Sequence, residues 1–145
     1  MDAIWVVVAN QAGACIYSAS RLGEVRSLID EFEHEAGRAH IQELVSDAPG
    51  RVHDRQGEAR HSMETDVGMQ EESIRRFARK IVAYLEKAAE QRKYSHLVII
   101  AAPAFLGIVR KTVQPHLADR IALEIPKDIV GSPVDQLQTL LDREL

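Results

Sequence analysis

Apolar residues run without a break from Ile4 to Ala9, the pattern of a strand covered on both faces and therefore central in its sheet. Asn10-Gln11-Ala12-Gly13 then makes a short turn into Ala14-Cys15-Ile16-Tyr17-Ser18, which predicts a hairpin. A second turn at Arg21-Leu22-Gly23 leads into Val25 to Phe32, where Leu28, Ile29 and Phe32 mix with Arg26, Asp30 and Glu31. This third strand belongs nearer an edge, with one face in water.

From His34 to Met69 the periodicity fails, apart from a short helical turn expected around Ala39 to Val45. Large apolar residues are sparse after Val45, and Pro49, Gly50 and Gly57 punctuate a long polar loop, Ser46 to Asp66. Beyond it Ile74, Phe77, Ala78, Ile81, Val82, Leu85, Ala88 and Ala89 recur at spacings of three and four, one apolar stripe on a helix from about Met69 to Arg92. Glu71 and Glu72 lie in its first turns, and each has an arginine four residues on, Arg75 and Arg76. His96 to Ala102 is a second fully apolar strand, and Pro103 suits the first position of a helix from Ala104 to about Val113. Gln114-Pro115 interrupts, Arg120 to Ile125 makes a last strand, and Ser132-Pro133 is placed as the cap of a terminal helix through Asp135 to Glu144.

A three-stranded meander followed by helix, strand, helix, strand, helix predicts an α/β fold, a mixed five-stranded sheet with flanking helices in the ribonuclease H-like arrangement. Sites in open α/β sheets gather at the carboxyl ends of strands. Those ends should bring Asn10, Pro103 and Lys127-Asp128 together.

With 145 residues, 46% of them hydrophobic, the chain is expected to form one domain, residues 1–145. Its formal net charge of −4, from 18 basic and 22 acidic residues, gives no overall positive field, so an anionic partner would need a local patch. The single cysteine, Cys15, excludes an internal disulfide and is read as a buried reduced thiol. The amino terminus carries Asp2 where a secretory signal carries basic residues, and no apolar stretch approaches the roughly 18 residues that cross a bilayer. A cytoplasmic location is expected, with no membrane partner.

Candidate chemistry lies mainly in the loop. Asp47, Asp54, Glu58, Glu64 and Asp66 stand there with His53 and His61, interleaved with Arg51, Arg55 and Arg60. Neither that histidine pair nor His34 with His40 has a zinc spacing, and the arginines repel a cation, so no metal and no cofactor is expected. The first strand lacks the carboxylate that a two-metal nuclease needs. No serine elbow or glycine-rich phosphate loop appears. Arg75, Arg76, Arg79 and Lys80 form a basic run on the long helix that could contact RNA phosphates, against the simpler reading of a solvated face partly neutralised by Glu71 and Glu72.

Several segments resemble one family, the bacterial host attachment proteins, described as required for attachment to host cells. They are Trp5-Val6-Val7-Val8-Ala9-Asn10, Leu44-Val45-Ser46-Asp47-Ala48-Pro49-Gly50-Arg51, Arg76-Phe77-Ala78, Ala102-Pro103-Ala104-Phe105-Leu106-Gly107 with Arg110, and Lys127-Asp128. That family is in turn similar to the middle domain of archaeal and eukaryotic peptide-chain release factors, where a Gly-Gly-Gln loop precedes a long helix containing Arg-Phe-Ala. The loop position matches here, but the nearest string is Arg55-Gln56-Gly57-Glu58. The resemblance implies a ribonuclease H-like fold and, by analogy, a role on the ribosome or tRNA.

Two functional readings stay open. In one, a non-catalytic protein binds through the loop and Arg75, Arg76, Arg79 and Lys80. In the other, a hydrolase acts on an anionic substrate between Asn10, Asp47, Arg51, His53 and His61, with Lys127 and Asp128 on the far wall. The expected ligand-binding residues are Asn10, Asp47, Arg51, His53, Arg55, Arg60, His61, Lys127 and Asp128. A homo-oligomer joined through the loop is a third arrangement.

Overall fold

The computed structural model describes residues 3–20, 23–39 and 56–145, apart from the side chains of residues 56–67. The order is β1 (Ile4–Asn10), β2 (Gly13–Ala19), β3 (Val25–Glu33), α1 (Gln56–Glu90), β4 (His96–Ala101), α2 (Pro103–Thr112), α3 (Pro115–Ala118), β5 (Ile121–Ile125) and α4 (Val134–Glu144). A single helical turn at 35–39 follows β3.

The five strands form one mixed sheet in the order β3-β2-β1-β4-β5. β1 is central: it pairs antiparallel with β2 and parallel with β4, and β4 pairs parallel with β5. Burial from Trp5 through Asn10 fits the unbroken apolar run, because both faces of β1 are covered. On one face Trp5, Val7, Ile16, Leu97 and Ile99 pack against the apolar stripe of α1, Phe105, Leu106 and Val109 of α2, and Leu117 of α3. On the other, Val6, Val8, Val98 and Ile100 pack against Leu137, Leu140 and Leu141 of α4. Helices on both faces make a three-layer domain.

Three expectations are corrected. The long helix begins at Gln56, not near Met69, so the stretch to Asp66 expected as loop is helical from Gln56 onward. Gln56, Glu58, Ala59, Arg60, Met63 and Glu64 are good helix formers, and no proline follows Pro49 in this stretch to interrupt them. Pro133 rather than Ser132 occupies the cap of α4, which no side chain caps. Cys15 is only partly buried: it pairs with Val8 on the face that carries α4 but lies outside the buried cluster there.

Candidate functional site

At the carboxyl end of β1, Asn10 is buried and polar. Its Oδ1 accepts from the backbone N–H of Ala12 at 2.8 Å and of Gly13 at 3.1 Å, so the side chain closes the hairpin turn itself. Its Nδ2 donates to Oδ1 of Asp128 at 3.1 Å, and the same oxygen accepts from Val130 N at 3.4 Å. Ala102 N donates to the carbonyl of Ala9 at 3.2 Å, which sets Pro103 and the start of α2 beside the same strand end. The predicted meeting of Asn10, Pro103 and Lys127-Asp128 is thereby found: Asn10 and Asp128 are joined directly, and Lys127 is exposed beside them.

What this cluster can do follows from its bonds. The Asp128 carboxylate is engaged by an amide and a backbone N–H, with no histidine or second carboxylate bonded to it among the described residues. That arrangement clamps the end of β1 to the segment after β5 and shows no acid–base pair among the described residues. Of the other expected ligand-binding residues, Asp47, Arg51, His53 and Arg55 lie outside the described residues. Arg60 and His61 fall within α1, their side chains outside the description. Among the described residues, no three histidine, cysteine, aspartate or glutamate side chains are grouped to hold a metal ion.

The basic run lies on the outer side of α1, just past the point where its core contacts begin at Ile74. Arg75 pairs with Glu71 at 3.7 Å, as its spacing predicts, and with Glu72 at 3.8 Å. Glu72 does not take Arg76; it takes Arg79 at 2.9 Å, two turns along. The bond and charge of Arg79, aided by Arg76 and Arg75, hold the Glu72 carboxyl below its usual range. Lys80 lies over the Phe32 ring at 5.7 Å. Arg76 is exposed and has no ion-pair partner among the described residues.

Sequence reasoning missed His34, weighed only as half of a metal pair. Its Nδ1 stands 2.6 Å from the Gln11 carbonyl and its Nε2 2.8 Å from the Ser73 hydroxyl, while the ring stacks on Phe77 at 4.7 Å with an 8° interplanar angle. A carbonyl only accepts, so this bonding pattern assigns the proton to Nδ1, and Nε2 of a neutral ring accepts from Ser73. His34 thus ties the β1–β2 turn to α1. Gly37, buried in the next turn, packs against the Gln11 carbonyl and the His34 ring so closely that no side chain fits there. The signal was present in the placement of a histidine and a glycine just past β3, but their partners are distant in sequence.

Cys15 lies on the sheet face that carries α4. Burial first, and then the charge of Glu31, push its thiol above the ordinary value, while a hydrogen bond with Tyr17 acts the other way. A thiol shifted in that direction is a poor nucleophile at neutral pH.

Comparison with known proteins adds two findings. A family model described as "Protein required for attachment to host cells" matches residues 5–141. An uncharacterized protein of Rickettsia prowazekii (strain Madrid E) is 35% identical over 114 residues, covering 76% of this chain and 69% of that protein. No helix among the described residues is long and apolar enough to cross a membrane.

Proposed function

The chain belongs to the family of proteins required for attachment to host cells, and on that premise we propose that it is a cytoplasmic binding protein that grips structured RNA, the ribosome or a tRNA, through the outer face of α1. Its effect on attachment is then indirect. The observation that carries the reading is Arg76, an exposed guanidinium without an ion-pair partner among the described residues, flanked by Arg75, Arg79 and Lys80. A guanidinium fork matches two phosphate oxygens, and neighbouring cations held by weak exposed ion pairs can exchange carboxylate for phosphate at little cost. Arg51, Arg55 and Arg60 precede this run in sequence. The analogy to the release-factor helix with its Arg-Phe-Ala string, Arg76-Phe77-Ala78 here, supports the same class of partner.

Binding is favoured over hydrolysis because the Asp128 carboxylate accepts from Asn10 and Val130, with no histidine or second carboxylate bonded to it among the described residues. The test is sedimentation with ribosomes and filter binding of tRNA at graded salt. Association should weaken as salt rises and be lost when Arg76 and Arg79 are both changed to Glu. Unchanged association after that double change sinks the proposal.

A further inference from the structure

Glu72 stands among the arginines of α1 in a way that Glu71 does not. It precedes Arg75 by three residues, Arg76 by four and Arg79 by seven, so all four lie on one face of the helix. Its two carboxylate oxygens are divided between two guanidiniums: Oε1 accepts from Arg79 at 2.9 Å, and Oε2 stands 3.8 Å from Arg75. Glu71 pairs with Arg75 at 3.7 Å and with no second arginine among the described residues. These side chains are all roughly half exposed, so the Glu72 carboxylate sits in water and not in a packed seat.

A carboxylate that places one oxygen on each of two guanidiniums copies what a phosphodiester offers, two non-bridging oxygens sharing one negative charge. The hydrogen bond that holds the Glu72 carboxyl below its usual range is the one from Arg79, which shows the same attraction from the other side. Arg76, with no ion-pair partner among the described residues, is where a phosphate can dock before any carboxylate moves. Once a chain of phosphates is held there, its next phosphate meets Arg75 and Arg79 at high effective concentration and can displace a single tethered carboxylate.

Building on the reading of α1 as a face that grips RNA phosphates, we infer that Glu72 is the resident occupant of an anion seat formed by Arg75 and Arg79. It keeps the seat shaped for two oxygens and lowers the affinity of the face until a phosphate chain displaces it. Glu71 is the matched control, since it carries the same charge one residue away without a bond to Arg79.

Two probes test this at fixed salt: tRNA by filter binding, and inorganic tripolyphosphate, the same anionic chemistry without RNA, by calorimetry. Glu72→Gln should tighten binding of both about fivefold, and Glu71→Gln by less than about twofold. Arg79→Gln should weaken binding about twofold in the unaltered chain and about fivefold beside Glu72→Gln, because the arginine is then released from its carboxylate. Thermal melting should confirm that each variant is folded. Equal tightening by Glu71→Gln and Glu72→Gln would leave only net charge at work and overturns the role of Glu72. So does an absence of tightening by Glu72→Gln on either probe, or an Arg79→Gln effect that is the same in both backgrounds. The expected response to tripolyphosphate with no tRNA binding by any variant would uphold the seat and refute the RNA reading.

Discussion

The amide nitrogen of Asn10 lies 3.1 Å from the carboxylate of Asp128, a bond between residues 118 positions apart that fixes the carboxyl end of β1 to the segment following β5. Asn10 also satisfies two backbone N–H groups of the hairpin turn. Asn10→Ala should therefore destabilise the fold by about 2–4 kcal/mol, since removing it strands several polar groups at once. Asp128→Ala should cost about 1 kcal/mol. Urea unfolding of both single variants and the double should show a coupling on the order of 1 kcal/mol; strict additivity would mean that the bond contributes nothing.

His34 and Gly37 form a second clamp, and they fail differently. His34→Ala loses two hydrogen bonds and the stack on Phe77, so a loss of about 2–3 kcal/mol is expected. Gly37→Ala keeps every partner but forces a methyl group into the Gln11 carbonyl, and should cost roughly 1–3 kcal/mol by displacing the turn. Hydrogen exchange at Ala12 and Gly13 would report both. Protection unchanged in either variant would contradict the clamp.

Tyr94 sets an alkaline limit. It packs on Trp5 at 4.9 Å, donates to the Leu85 carbonyl at 2.6 Å, and is pushed up to about 12 from its ordinary 10.0, chiefly by burial. The raised value means that the folded state keeps the proton after the unfolded chain has lost it. The associated stability is whole below pH 10 and drains away as pH rises toward about 12. Tyr94→Phe should be less stable at neutral pH by about 1 kcal/mol, yet show a shallower decline over that window. Parallel slopes for the two proteins would refute the assignment.

Arg92 ends α1 in the left-handed region, φ 57°, the only non-glycine residue among those described with positive φ. Lys93 N donates to the Ala88 carbonyl and Arg92 N to that of Ala89, each at 3.0 Å, the paired bonds of a Schellman stop. Glycine adopts this conformation without strain, so Arg92→Gly should raise stability by about 0.5–1 kcal/mol in thermal unfolding. A lower melting temperature would show that the arginine side chain contributes more than its backbone costs.

Most of the fold was legible because its signals are local or periodic. The run Ile4–Ala9 marks β1 as central, the mixed polarity of Val25–Phe32 marks β3 as an edge, and the stripe from Ile74 to Ala89 marks the packed half of α1. Its start was not legible: residues 56–66 carry no apolar stripe, and a helix polar on all sides reads as loop. The clasp of Asn10 with Asp128 could be anticipated from topology, since parallel strands end on one edge of the sheet. His34 could not, because its meaning comes from Gln11, Ser73 and Phe77, which lie on other elements. The partial burial of Cys15, outside the buried cluster on the α4 face, depends on contacts with other elements that no property of β2 itself encodes.

The central place of β1 also has a kinetic side. Its parallel neighbour β4 is made only after the whole of α1 has been synthesised, so the hairpins of β1, β2 and β3 emerge first with one edge of Trp5–Ala9 unpaired. Until His96–Ala101 arrives, the most apolar strand in the molecule is an open template for other nascent chains. The hazard is greatest before folding ends, and chains stalled short of His96 should aggregate where those extended past Ala101 and released do not.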